Sequence, residues 1–454
     1  MSDDMRPPLQ QAAGEIENAV GHLFTVHDLT LGVPDQPHAI RLRGHLNVPS
    51  HQAYPQIADR LREMGYTAVL RHDPESDLDV LLAVPGVMPQ TSSGRPWVNI
   101  VLYVLTVLST LFVGASWSDQ VPAGADTIWL LTHLWLGWPF ALSLMTILTG
   151  HELGHYFAGR HYGVPVSLPY FLPMPIPPLG TMGAVIVMKG RSVDRRQMLT
   201  VGAAGPLAGF ILAVPILILG LSLSTVQPLS APETGQVAFL EGNSLLYLAL
   251  KFAVFGKILP GSGLDPAFPG ALKEIAAALL GILPAGGGYD VIIHPVALAG
   301  WAGLLVTAFN LLPVGQLDGG HVMYSLAGRR AGLFTWPVVI LLVAMGAFLW
   351  SGWLLWAALI FLFGRQHPEP LDDVTRLGLP QKIAAVLVLV IFFLVFTPVP
   401  IQIISGEPLS PETGQAATWL GLSALVLGIA LWLVRRRRDC PNTETPSGRR
   451  NRPE

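Results

Sequence analysis

Two stretches decide how this chain is to be read: Gly150-His151-Glu152-Leu153-Gly154-His155 and, far downstream, Asn310-Leu311-Leu312-Pro313-Val314-Gly315-Gln316-Leu317-Asp318-Gly319-Gly320-His321. The first is H-E-x-x-H, which on a helix sets two imidazoles one turn apart on one face with a carboxylate beside them, a geometry that suits zinc. A catalytic zinc takes three protein ligands and keeps its fourth position for water, so two histidines are one ligand short. Asp318, in the second stretch, is the candidate. Both stretches adjoin long apolar runs, Leu130 to Leu148 and Val296 to Leu312, which puts the expected metal at membrane depth.

Working outward, the 454 residues are 51% hydrophobic and 13% charged, with a mean hydropathy of +0.50, too apolar for an ordinary soluble protein. The fold class expected is a polytopic α-helical membrane protein of about eight transmembrane helices, preceded by a small α+β domain. The net charge of −3 implies no nucleic-acid partner. The single cysteine, Cys440, rules out an intramolecular disulfide framework. Met1 to Asn18 is polar and acidic, unlike a signal peptide, so insertion is expected to start from an internal helix.

Residues 1–30 read as a flexible leader and 31–90 as a small cytoplasmic α+β domain. Within it, Ile40 to Leu46 alternates with period two, Ser50 is expected to cap a helix through Met64, and Thr67–Leu70 and Leu78–Val84 read as strands. Such a domain is either a regulatory, substrate-presenting or partner-binding module, its partner unknown, or N-terminal ballast. A Pro/Gly/Ser linker leads to the first span, Trp97 to Trp117, with tryptophans at both interfaces. The second span starts near Ile128 and runs through H-E-x-x-H to Arg160. Arg160, Lys189, Arg191, Arg195 and Arg196 crowd the next loop, which the positive-inside rule assigns to the cytoplasm together with the zinc end of the helix.

That loop carries a strand-like run from Gly180 to Met188. Gly180, Thr181, Met182 and Gly183 are expected either to offer an open strand edge to an extended substrate or to form an ordinary structural hairpin. Leu199 to Leu223 is the third span, with Gly205 and Gly209 in a G-x-x-x-G pattern. Leu245 to Leu283 is too interrupted for a firm span. Val291 to Leu312 crosses back and delivers Asn310 and Asp318. Trp336 to Phe363 is a hairpin broken at Ser351-Gly352, closing a core of residues 97–365. Ile383–Val399 and Trp419–Val434 make a further hairpin within 381–434, and the basic tail 435–454 places the C-terminus, like the N-terminus, inside.

His151 to His155, the Gly180 to Val187 run, Ala204-Gly205-Pro206-Leu207-Ala208-Gly209, Asn310 to Pro313 and Leu317 to Gly320 together resemble the site-2 protease family of intramembrane zinc metalloproteases, most of all the bacterial and plastid branch with an N-terminal extension. The resemblance spans roughly the middle half of the chain. It implies Zn2+ bound by His151, His155 and Asp318, and Glu152 as the acid/base that takes a proton from water and returns it to the leaving amine. It also implies a transmembrane protein as substrate, within the lipid bilayer, and for the bacterial branch an inner-membrane location. Asn310 is expected to bind substrate backbone or a developing oxyanion, or merely to cap its helix before Pro313. His321, three residues after Asp318, either stands behind the metal ligands or is a loop histidine facing water. A metal-binding transporter and a non-proteolytic scaffold are the competing classes.

Overall fold

The computed structural model describes residues 9–33, 36–87, 95–122, 124–187, 192–229, 237–261, 270–284, 288–363 and 369–405. Trp419–Val434, the tail 435–454, Lys189 and Arg191 lie outside the described residues.

The N-terminal part runs α1 (Leu9–Val20), β1 (Phe24–Val33), β2 (Gln36–Leu46), α2 (Ser50–Glu63), β3 (Tyr66–Asp73) and β4 (Leu78–Pro85). The strands form one antiparallel sheet in the order β1-β2-β4-β3. Where a flexible leader was expected, α1 and the start of β1 are ordered. The reason is a sparse apolar face, Ala12, Ala13, Ile16 and Val20, buried against Phe24, Ile40, Leu42, Ile57 and Leu61. Only four apolar positions in twelve carry that face, too few to stand out from a polar background. Ser50 does not cap α2: the N-cap position is Pro49, and the Ser50 hydroxyl is hydrogen-bonded to that of Thr375 instead.

Helix α3 (Pro96–Ser116) follows. The expected second span is broken: a short α4 (Thr127–Thr132) and a 3-10 turn (Leu134–Gly137) precede α5 (Trp138–His161). Pro139 near the start of α5 lacks the N–H that a continuous helix would need. After α5 come β5 (Tyr170–Pro173), β6 (Thr181–Val185), α6 (Arg195–Ser222), β7 (Thr225–Pro228), β8 (Val237–Glu241), α7 (Leu245–Phe255), α8 (Gly270–Leu279), β9 (Tyr289–Ile292), α9 (Pro295–Asn310), α10 (Asp318–Ala327), a 3-10 turn to Phe334, α11 (Thr335–Phe348), α12 (Gly352–Phe363), α13 (Leu379–Val395) and β10 (Ile401–Ser405).

Three helical stretches, 96–116, 195–222 and 318–348, are long and apolar enough to cross a membrane, the last bending at Gly328, and several shorter apolar helices accompany them. The outward faces are apolar: Ile100, Val104 and Leu108 on α3, Ile340 and Leu341 on α11, and Ile383, Leu387 and Phe393 on α13 are all exposed. Water would penalise such a surface and lipid would not. The chain is therefore a polytopic, mostly helical membrane protein, with α5, α6 and α9 packed at its centre.

The basic loop after α5 does not stay at the surface. Asn99 Nδ2, near the start of α3, donates to the carbonyls of Leu168 and Pro169, Ser109 Oγ donates to Gly180 O, and Trp117 Nε1, at the far end, donates to Pro178 O. Eighteen helical residues separate Asn99 from Trp117, about 27 Å of rise. The segment from Leu168 to Gly180, which carries β5 and leads into β6, thus lies along α3 over most of that helix's length. Irregular backbone at that depth is tolerated because α3 accepts it as a neighbour and its polar groups are paired.

On the opposite side from the N-terminal sheet, β8 pairs with β10 and β7 with β9. Helices α7 and α8, with 11 and 10 residues, are too short to span. Lys251 on α7 is fully buried, 3.4 Å from Glu241 and 3.1 Å from Asp290, so it serves the protein interior and does not reach for the interface.

Candidate metal centre

His151 and His155 sit one turn apart on α5 and face α6 and the start of α10. The Nε2 atoms of the two rings are 3.3 Å apart, and Asp318 Oδ2 is 3.5 Å from His151 Nε2 and 3.2 Å from His155 Nε2. Among the described residues this is the one group of three such donors gathered closely enough for a metal. Donor atoms about 2.0–2.2 Å from a tetrahedral zinc lie roughly 3.4 Å from one another. The observed triangle matches that edge, and its donor set, two imidazoles and a carboxylate, is one zinc accepts. Carbonyl Val201 O, on α6, takes a hydrogen bond from His155 Nδ1 at 2.7 Å, which fixes the tautomer with the Nε2 lone pair towards the metal position.

The imidazoles fit because α6 is thin opposite them. A Cβ at Gly205 would stand 2.0 Å from His155 Nε2, and one at Gly209 would stand 3.1 Å from His151 Nδ1. The G-x-x-x-G pattern lets α5 approach α6 closely, and the two imidazoles of α5 fill the space it leaves. Asp318 is the first residue of α10, so its carboxylate stands at a helix N-terminus. Gly319 and Gly320 belong to the first turn of that helix.

Glu152 is buried and lines the same cavity, of about 220 Å³, together with His151, His155, Asn310, Asp318 and His321. Asn310 closes α9, and its Nδ2 lies 3.2 Å from His151 Nε2, so the amide stands at the metal position. His321 is not a loop residue facing water: it is buried on α10, its Nδ1 donates to Leu317 O at 2.9 Å, and Gly202 of α6 leaves room for its Cβ. His133 is remote, stacked on Trp129 at 4.0 Å.

Of the four residues proposed at the strand edge, Gly180 packs on α3 through Ser109, the buried Thr181 hydroxyl donates to Leu172 O, and Met182 is exposed. The part of this run that lines the cavity is Ala184, Val185 and Ile186, joined by Ser192, Met198 and Gln316. Gln316 stood inside the quoted motif, but nothing in its residue type singled it out there. The Val201 carbonyl had no signature in sequence, since any residue supplies one.

The model of peptidase family M50 matches residues 139–351, a span that holds both histidines, Glu152 and Asp318. Over that span the chain carries the region that defines the M50, or site-2 protease, family. Within M50 its likeness is to the plastid branch. The probable zinc metalloprotease EGY2, chloroplastic, of Arabidopsis thaliana is 28% identical over 377 residues, 81% of this chain and 62% of its own length. The corresponding EGY1 proteins of Arabidopsis thaliana and Oryza sativa subsp. japonica are each 31% identical, over 322 and 394 residues, covering 66% and 79% of this chain and 53% and 62% of their own. The chain thus spans less than two thirds of the length of these curated relatives. No solved structure matches it.

Proposed function

We propose that this chain is an intramembrane zinc endopeptidase that hydrolyses peptide bonds in transmembrane segments of other membrane proteins. The observation that carries the proposal is the donor triangle of His151, His155 and Asp318, closed to zinc dimensions, with Glu152 in the same membrane-embedded cavity. Held by His151, His155 and Asp318, zinc would supply Lewis acidity at the scissile carbonyl. Glu152 takes a proton from the attacking water and delivers it to the leaving amine. Asn310, beside the metal position, offers its amide to the substrate's carbonyl oxygen or backbone.

The substrate's approach is along β6. Among the described strands β6 pairs with β5 alone, and the side chains of Met182, Val185 and Val187 are exposed. A substrate segment unwound from its helix adds to that edge as a strand, which presents its backbone to the cavity at Ala184–Ile186. Gly180 to Gly183 extend the same edge away from the metal. The orientation proposed has the N-terminal domain, the end of α5 and Arg195, Arg196, Arg329 and Arg330 on the cytoplasmic side of a bacterial inner membrane. About eight crossings complete the molecule, and the C-terminus is cytoplasmic.

The test is zinc content and cleavage of a panel of model transmembrane substrates by purified wild type and Glu152→Gln. Zinc is expected at one per chain in both, with cleavage about 10²–10⁴-fold slower in the variant. Equal cleavage, or a wild type that binds no zinc, sinks the proposal.

A further inference from the structure

A stretch of irregular backbone, residues 369–376, joins three regions that are distant in sequence. On one side it extends the N-terminal sheet: Leu70 N donates to Leu371 O at 2.8 Å and Asp373 N to Leu70 O at 3.1 Å. Arg71 grips it further, donating to the carbonyls of Pro370 and Leu371 and pairing with Glu369 at 3.1 Å. Leu371 and Val374 pack against the N-terminal core, and the Ser50 and Thr375 hydroxyls are bonded to each other.

On its other side the same stretch meets the membrane core. Leu371 N donates to Ser192 O at 3.0 Å and Asp372 N to Val193 O at 2.7 Å. Arg195 Nε, in the first turn of α6, donates to Asp373 Oδ1 at 2.8 Å, and Tyr324 OH, on α10, donates to the same oxygen at 3.4 Å. With side-chain exposures of 21% and 8%, the Arg195–Asp373 pair is largely withdrawn from water, where a charge-assisted bond holds its geometry better than at a free surface. Arg195 also lies against Gly328, which ends α10 at a φ of +59°; a Cβ there would stand 2.5 Å from the guanidinium. Met198 and Tyr324 are buried together between the two helices.

These are the helices that set the metal centre. Six residues after Arg195, Val201 holds His155 through its carbonyl, and α10 begins with Asp318. The strap itself is stiffened from within, because the buried Asp372 carboxylate accepts hydrogen bonds from Val374 N, Thr375 N and the Thr375 hydroxyl.

We propose that residues 369–376 are a latch through which the docked N-terminal domain holds α6 and α10 in register, with Asp373 as the positioning residue for His155 and Asp318. The inference rests on taking those residues as one metal centre. It makes the N-terminal domain a control element: whatever lifts β3 off the strap loosens the site from some distance, without touching it.

The experiment is amide hydrogen exchange on the purified full chain, comparing wild type with Asp373→Asn and Arg71→Gln. Exchange at residues 195–202 and 318–327 is expected to quicken at least tenfold in both variants, although Arg71 contacts neither helix. Zinc retention against a chelator is expected to fall tenfold or more alongside, and kcat to fall with KM kept. Asp59→Asn, which removes only the exposed partner of Arg62, is expected to exchange like wild type. Helices α6 and α10 as protected in Arg71→Gln as in wild type would overturn the latch. Should either variant fail to fold, Ser50→Ala, which removes from α2 the hydroxyl bonded to Thr375 of the strap, is read in the same way. A wild type that cleaves no transmembrane substrate defeats the protease proposal alone, because exchange is read without activity.

Discussion

A methyl group at Gly205 would stand 2.0 Å from His155 Nε2, whereas one at Gly209 would stand 3.1 Å from His151 Nδ1, a distance that a small shift of the ring relieves. The two alanine variants therefore differ in kind. Gly205→Ala must drive His155 off its Val201 hydrogen bond or push α6 from α5, and overpacking of this sort costs about 1–3 kcal/mol. Losing the partner that orients a ligand lowers metal affinity about 10–100-fold. Zinc retained after dialysis against a chelator is expected to rank wild type, then Gly209→Ala, then Gly205→Ala, with the thermal midpoint in the same order. If Gly205→Ala holds zinc as wild type does, α6 does not set the position of the imidazole.

At the level of elements, Lys251 separates helices that serve the site from those that serve the far face. It is enclosed by Glu241 of β8, Asp290 of β9 and the Tyr247 ring, and Tyr247 OH donates to Glu241. Lys251→Met leaves two carboxylates buried without their cation, a change that costs about 3–5 kcal/mol. Chemical unfolding in detergent is expected to show a loss of that size with zinc stoichiometry unchanged; unaltered stability would mean that the cluster does not tie β8, α7 and β9 together. This cluster also marks where sequence stopped informing. H-E-x-x-H was legible because its geometry is local to one helical turn, and Asp318 because a charge beside an apolar span is costly unless used. The apolar, strand-like run from Gly180 to Val187, by contrast, reads alike at the membrane surface or along α3, and only the bonds of Gly180 to Ser109 and of the neighbouring Pro178 to Trp117 decide. The strap was silent, since its backbone hydrogen bonds to Leu70, Ser192 and Val193 need no particular side chain.

For the whole molecule, length sets the depth of the site. Helix α3 has 21 residues, about 32 Å, close to the hydrocarbon thickness of a bilayer, whereas α6 has 28, about 42 Å, and must project by about 10 Å. The projecting end is fixed by charge: Arg195 and Arg196 open α6 and contact the strap, and its last turn, near Ser222, carries no basic residue. Val201 lies about 9 Å inside Arg195, so the metal centre falls near the rim of the apolar layer on the side of the N-terminal domain. Water and the departing peptide then have a short path on that side, and the β5–β6 pair opens towards it. The arrangement commits the turn at Ser76 to one side of the membrane and the turn at Asp119 to the other. In a background with Cys440 replaced by serine, a membrane-impermeant maleimide added to intact cells is expected to label Asp119→Cys directly and Ser76→Cys only after permeabilisation. Labelling of both from the outside would place the N-terminal sheet and the far end of α3 on one face, and α3 would then not cross the bilayer at all.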